Sequence, residues 1–137
     1  MPRHYSLKRF LGRKVLIAGD VGSGKTLLTA NLLDQAVDMG YRHQLTVIDM
    51  APNTVGFHGM RVGGILAEVT NAVSEVRYLK PKEVKAPRTM AGNAEELMRL
   101  ADFNRRVIDK TLTEFLLNPT PLLFINDVSI YLQTGEI

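Results

Sequence analysis

Gly19-Asp20-Val21-Gly22-Ser23-Gly24-Lys25-Thr26 is the stretch that decides how this 137-residue chain reads. It spells G-x-x-x-x-G-K-[ST], the pattern of a loop whose backbone N–H groups close around phosphates. Lys25 has the reach to meet β- and γ-phosphates, and the Thr26 hydroxyl suits Mg²⁺. The flanks give the pattern its weight. Val15-Leu16-Ile17-Ala18 is continuously apolar, as a central parallel strand covered on both faces should be. Beyond the loop, Leu28, Leu32, Ala36 and Met39 recur at helical spacing. A helix is therefore predicted from residue 25 to about residue 39, with Gly40 as its stop. Its N-terminus would direct partial positive charge at the same anion. An ordinary glycine-rich turn is the alternative, and it gives no reason for a strand before and a helix after.

Outward from the loop, Leu45-Thr46-Val47-Ile48 is a second predicted strand, ending at Asp49. Strand, helix and strand in succession open a parallel α/β sheet. Residues 50–64 carry Pro52, Asn53, Gly56, Gly59, Gly63 and Gly64, and read as a loop beside the nucleotide. Residues 65–73 read as a short helix and residues 74–79 as a third strand. Residues 80–88, with Lys80, Lys82, Lys85 and Arg88 among prolines, read as a solvated basic loop. Contact with nucleic acid or an acidic partner is the alternative there. Asn93 with Glu96 makes a capping box. The helix behind it is predicted to run to about residue 117, with Leu97, Leu100, Ala101, Val107, Ile108, Leu112 and Phe115 as its apolar stripe. After Pro119 and Pro121, Leu122-Leu123-Phe124-Ile125 is another buried strand, ending at Asn126-Asp127.

A phosphate loop needs a carboxylate near its Mg²⁺, commonly at the C-terminal end of a neighbouring parallel strand. Asp49 and Asp127 both meet that description; a helix cap or turn is the plainer role for each. Arg61 reads as solvated, with an arginine finger as the alternative, and Arg99, Arg105 and Arg106 read as a solvated helix face, with a partner surface or an arginine lid as the alternative.

Composition sets the limits. With 45% apolar and 23% charged residues, the whole chain, residues 1–137, suits one domain with its own core. A net charge of +3 needs no partner beyond an anionic nucleotide. The absence of cysteine excludes disulfides, thiolate metal sites and cysteine nucleophiles, and fits the reducing cytoplasm. His4, His43 and His58 lack metal-ligand spacing. No stretch reaches the apolar length of a membrane span or has the build of a secretory signal.

Gly24-Lys25-Thr26, then Ala30-Asn31-Leu32, then Gly40, then Val47-Ile48-Asp49-Met50-Ala51-Pro52-Asn53 resemble the ParA/MinD-type ATPases of the SIMIBI group of P-loop proteins. The resemblance covers about residues 14–56, with weaker agreement at residues 122–127. It implies the P-loop NTPase fold: α/β, a mostly parallel sheet with flanking helices. It also implies ATP-Mg²⁺ held by Gly19 to Thr26 and hydrolysed in a switch or motor cycle. Asp49 would contact the water near the γ-phosphate, and Asp127 would hold Mg²⁺ through water. The chain departs from the family where Asp20 replaces its signature lysine and Ala51 its second acid, so a nucleotide sandwich crossed by that lysine is not implied. Val128 stands where related ATPases place a glutamate. Without a guanine-reading N-K-x-D motif, ATP is expected rather than GTP. A small-molecule or nucleotide kinase, a GTPase, and a non-hydrolysing module signalling nucleotide state to a macromolecular partner remain alternatives. Three or four strands make a short sheet. The expectation is therefore a homo-oligomer, or a longer protein with further strands after Gly135.

Overall fold

The computed structural model describes residues 5–20, 22–52, 56–57, 60–61, 64–86 and 91–133. Helix α1 is Lys25–Asp38, and strand β1, Leu45–Asp49, follows it. Next come β2 (Gly56–Phe57) and β3 (Met60–Arg61), a small antiparallel pair within the glycine-rich segment. Strand β4 is Arg77–Leu79, helix α2 Ala94–Leu117, strand β5 Leu122–Asn126 and helix α3 Ser129–Leu132. The main sheet has the order β4-β1-β5, and both pairings are parallel.

Every residue of β1 is buried. Side chains alternate along a strand, so Leu45, Val47 and Asp49 share one face and Thr46 and Ile48 the other. α1 covers the first face: Ala30, Leu32, Leu33 and Ala36 join Leu45, Val47 and Leu66 in one core cluster. α2 covers the second, where Ile108 and Phe115 pack with Ile48 and with Ile130 of α3. The predicted α1 stripe shifts slightly. Met39 is exposed, and Thr29, Ala30 and Leu33 are buried instead.

Gly40 ends α1 as expected. At φ +88° it takes a left-handed conformation, and Tyr41 N–H donates to Ala36 O at 3.0 Å. The return through residues 41–44 is short, so α1 runs antiparallel to β1. Its N-terminus therefore lies at the C-terminal end of the parallel strands. That placement organises the site.

The Asn93 cap is present: its Oδ1 accepts Glu96 N–H at 2.8 Å, while the Glu96 carboxylate accepts Gly92 N–H at 3.1 Å. Asn93→Ala is expected to lower stability by about 1 kcal/mol. Urea denaturation measures this directly, and an unmoved midpoint would show that the cap adds nothing.

Several expectations are corrected. Residues 15–18 form no strand: they join no ladder, Val15 and Leu16 are exposed, and only Ile17 packs against the core. An apolar run alone does not make a strand: residues 15–18 pair with neither edge of the sheet, and β5 stays its edge strand among the described residues. The predicted helix at 65–73 is two 3₁₀ turns, Leu66–Glu68 and Ala72–Glu75. Thr70 lies between them. Its hydroxyl accepts Ala72 N–H at 3.0 Å and donates to Asp34 at 2.5 Å, competing with helical pairing. The third strand keeps only residues 77–79 of the predicted 74–79.

Residues 80–86 are docked rather than solvated. Pro81 and Val84 are buried, and the buried side chain of Asn104 both accepts from Lys85 N–H (2.7 Å) and donates to Lys85 O (2.8 Å). Residues 5–10 are anchored to α1: Leu7 is buried, and its N–H donates to Gln35 Oε1 at 2.9 Å.

Candidate functional site

The Gly19–Thr26 loop closes on itself. The Lys25 ammonium donates to Gly19 O at 2.6 Å and to Asp20 O at 2.7 Å, and Ser23 N–H donates to Asp20 O at 3.1 Å. Two of the three ammonium protons thus hold the loop's own carbonyls, and no third bond is made to the described residues. The glycines have local reasons. Gly22 and Gly24 have φ of +80° and +94°, where a side chain is strained. A Cβ on Gly19 would stand 2.6 Å from Ser23 Oγ. Gly24 caps α1 with no side-chain bond, and the first turn contains no acid. No cap side chain or first-turn acid therefore meets the N-terminal N–H groups of α1, which carry partial positive charge. Thr26 sits in that turn, half-buried. Val21 lies outside the described residues.

On the same face, at the same end of the sheet, Asp49 is the centre of a buried polar cluster. Its side chain has no exposed surface. Oδ1 accepts Ala51 N–H (3.2 Å) and Asn126 Nδ2–H (3.0 Å), and Oδ2 accepts Leu66 N–H (2.7 Å) and the Tyr78 hydroxyl (2.6 Å). Four donors satisfy a carboxylate that would otherwise be costly to bury. Asn126 also donates to Gly64 O at 3.1 Å, so both ends of the glycine-rich segment are tied to this cluster. Lys80 donates to Ala51 O at 3.3 Å. Burial lowers the pKa of the Lys80 ammonium, and the Asp49 charge partly opposes that shift.

Burial, then the hydrogen bond to Asp49, pushes the Tyr78 phenol far above its ordinary value. The neutral phenol is thus favoured in the folded protein, while the unfolded chain ionises near pH 10. The stability this contributes is fully present below pH 10 and is lost as pH rises beyond it. Absorbance titration should show Tyr78 silent until the protein unfolds in alkali. A tyrosine phase before unfolding in Tyr78→Phe equal to that of the parent would agree; a smaller one would show that Tyr78 ionises in place.

Asp127 leaves the end of β5 in a left-handed conformation, φ +60°. It is half-buried, and its Oδ1 accepts the Ser129 hydroxyl at 2.9 Å. Oδ2 makes no hydrogen bond to the described residues. Mg²⁺ takes hard oxygen ligands, commonly one or two carboxylates plus phosphates. The Thr26 hydroxyl and the Asp127 carboxylate fit that donor set. Among the described residues no group of three or more His, Cys, Asp or Glu side chains could hold a metal alone.

Lys25 and Thr26, at the start of α1, thus share one end of the sheet with Asp49 and Asp127, at the ends of β1 and β5. Asp49 differs from the other three in being sealed from solvent. Arg106 pairs with Asp102 at 2.9 Å on α2, which packs on the opposite face. The side chain of Arg61 and all of Arg88 lie outside the described residues. An open groove of about 600 Å³ along α1 is lined by Asp34, Asp38, Glu68 and Glu75 and would repel phosphate. Sequence reasoning did not find Asn126, Tyr78 or Lys80. The one signal available was Asn126 itself, a strand-end amide beside a strand-end acid.

No helix among the described residues is long and apolar enough to cross a membrane. Comparison of the chain with protein-family models, with curated proteins and with solved structures finds no match.

Proposed function

We propose that this is a cytoplasmic P-loop NTPase domain that binds ATP-Mg²⁺ and hydrolyses it slowly, as a nucleotide switch acting on a macromolecular partner. The observation that carries this reading is the ring closed by Lys25 on Gly19 O and Asp20 O. It leaves one ammonium proton and the uncapped N-terminus of α1 for the same anion, at the C-terminal edge of a parallel sheet. Ligands of α/β proteins bind at that edge. The loop N–H groups of residues 19–26 would hold the phosphates, and Lys25 would stabilise charge on the transferring phosphoryl group. Thr26 and Asp127 would hold Mg²⁺, which when bound neutralises charge on the β- and γ-oxygens. Asp49, sealed beneath the site, would anchor its floor. Orienting a water would require the buried cluster to open once nucleotide is bound.

Titration calorimetry tests the reading. Saturable one-to-one binding of Mg-ATP is expected, with slow release of phosphate and weaker binding of Mg-GTP. Absence of saturable binding for both nucleotides would overturn it. Phosphate release that requires an added acceptor would make the protein a kinase instead.

A further inference from the structure

Asn126 is the last residue of β5 and is almost fully buried. Its side-chain amide has two protons, and both are committed: one to Asp49 Oδ1 at 3.0 Å, the other to Gly64 O at 3.1 Å. Its backbone O accepts Met50 N–H at 3.0 Å. Three bonds from one residue therefore fix the end of β5 to the end of β1 and to the returning segment at Gly64. The next residue is Asp127, in a left-handed conformation that non-glycine residues adopt only where their surroundings dictate it. On its far side, Ser129 binds the Asp127 carboxylate and Ile130 N–H donates to Asp127 O at 3.3 Å.

We propose that Asn126 is a positioning residue for metal binding: its amide pins the end of β5 and so sets where the Asp127 carboxylate leaves the strand. This rests on the reading of Asp127 as a Mg²⁺ ligand. The residue type follows from the chemistry. Two acceptors face the side chain, one of them the Asp49 carboxylate, so two donors without negative charge are needed. Aspartate would offer none and would set like charges together. Alanine would leave Asp49 Oδ1 with the Ala51 N–H alone, take the amide donor from Gly64 O and free the strand end.

The test is a double-mutant cycle on Asn126 and Asp127, read as the Mg²⁺ concentration giving half-maximal binding of a non-hydrolysable ATP analogue. Affinity for the Mg²⁺-free analogue is measured alongside. Asn126→Ala is expected to raise the half-maximal Mg²⁺ concentration about tenfold in the parent, about one ion-contact's worth. In an Asp127→Asn background it should change it less than about twofold, because the carboxylate it positions is gone. Mg²⁺-free affinity should stay within about twofold. If Asn126→Ala does not fold, Asn126→Ser keeps one donor and is read the same way. Equal effects in both backgrounds, or loss of Mg²⁺-free affinity in step, would overturn the positioning role. If Asp127→Asn alone leaves the Mg²⁺ dependence unchanged, or the analogue does not bind the parent, the reading of Asp127 falls and this inference falls with it.

Discussion

Lys25→Ala is expected to weaken Mg-ATP binding on the order of 100-fold while leaving the fold intact. A hydrogen bond to a charged group contributes about 1.5–3 kcal/mol, and each 1.4 kcal/mol is tenfold in affinity. The substitution would remove the charged contact proposed for phosphate, together with the two bonds that close the loop on itself. Stability should change little, since both of those bonds lie at the exposed loop, where Gly19 O and Asp20 O can turn to water. Calorimetry and thermal melting on the same sample separate the two effects. Unchanged affinity would remove the phosphate-loop reading. A collapsed melting transition would show that Lys25 holds the structure and not the ligand.

Asp49→Ala is expected to act in the opposite sense, on the fold first. Four donors converge on this carboxylate, from Ala51, Leu66, Tyr78 and Asn126. Removing it takes this acceptor from all four, three of them at buried sites and Tyr78 at a half-buried one. Each unsatisfied buried group costs about 1–3 kcal/mol, and neighbouring losses do not add fully. A loss of about 3–5 kcal/mol follows, a large share of the 5–15 kcal/mol that holds a typical domain folded. Asp49→Asn keeps the shape but turns an N–H₂ toward donors, and should lose somewhat less. Urea denaturation followed by circular dichroism gives the number. A loss under about 1 kcal/mol would mean that the donors find other partners and that Asp49 is no anchor.

These two residues show what was legible in the sequence. Lys25 and its glycines were legible because the signal is local: spacing, backbone freedom and an apolar period all lie within a few residues. The α1 stop at Gly40, the Asn93 cap, β1 and the position of β5 were legible for the same reason, but β5, read as a buried strand, is the edge of the sheet and exposes Leu123 and Ile125. Asp49 was legible as a strand-end acid, but its burial was not, because three of its donors come from residues 66, 78 and 126, whose convergence only the fold creates. Asn104 and Asn126 carry no local signal of burial; each is buried because a backbone group elsewhere matches it. Residues 15–18 were over-read for the converse reason. Their apolarity is local, whereas the ladder that would make them a strand is not.

The central position of β1 also bears on the order in which the chain assembles. Thr46 pairs with Arg77, 31 residues on, and with Leu123, 77 residues on. Closing the longer loop costs about 0.8 kcal/mol more chain entropy, and the longer contact forms later as a rule. During synthesis β5 also emerges after β1 and β4. Until it arrives Asp49 lacks the Asn126 donor and β1 has an open edge. A nascent or slowly folding chain is therefore expected to pass through a half-built sheet with an under-satisfied acid at its heart, closed only when Asn126 docks.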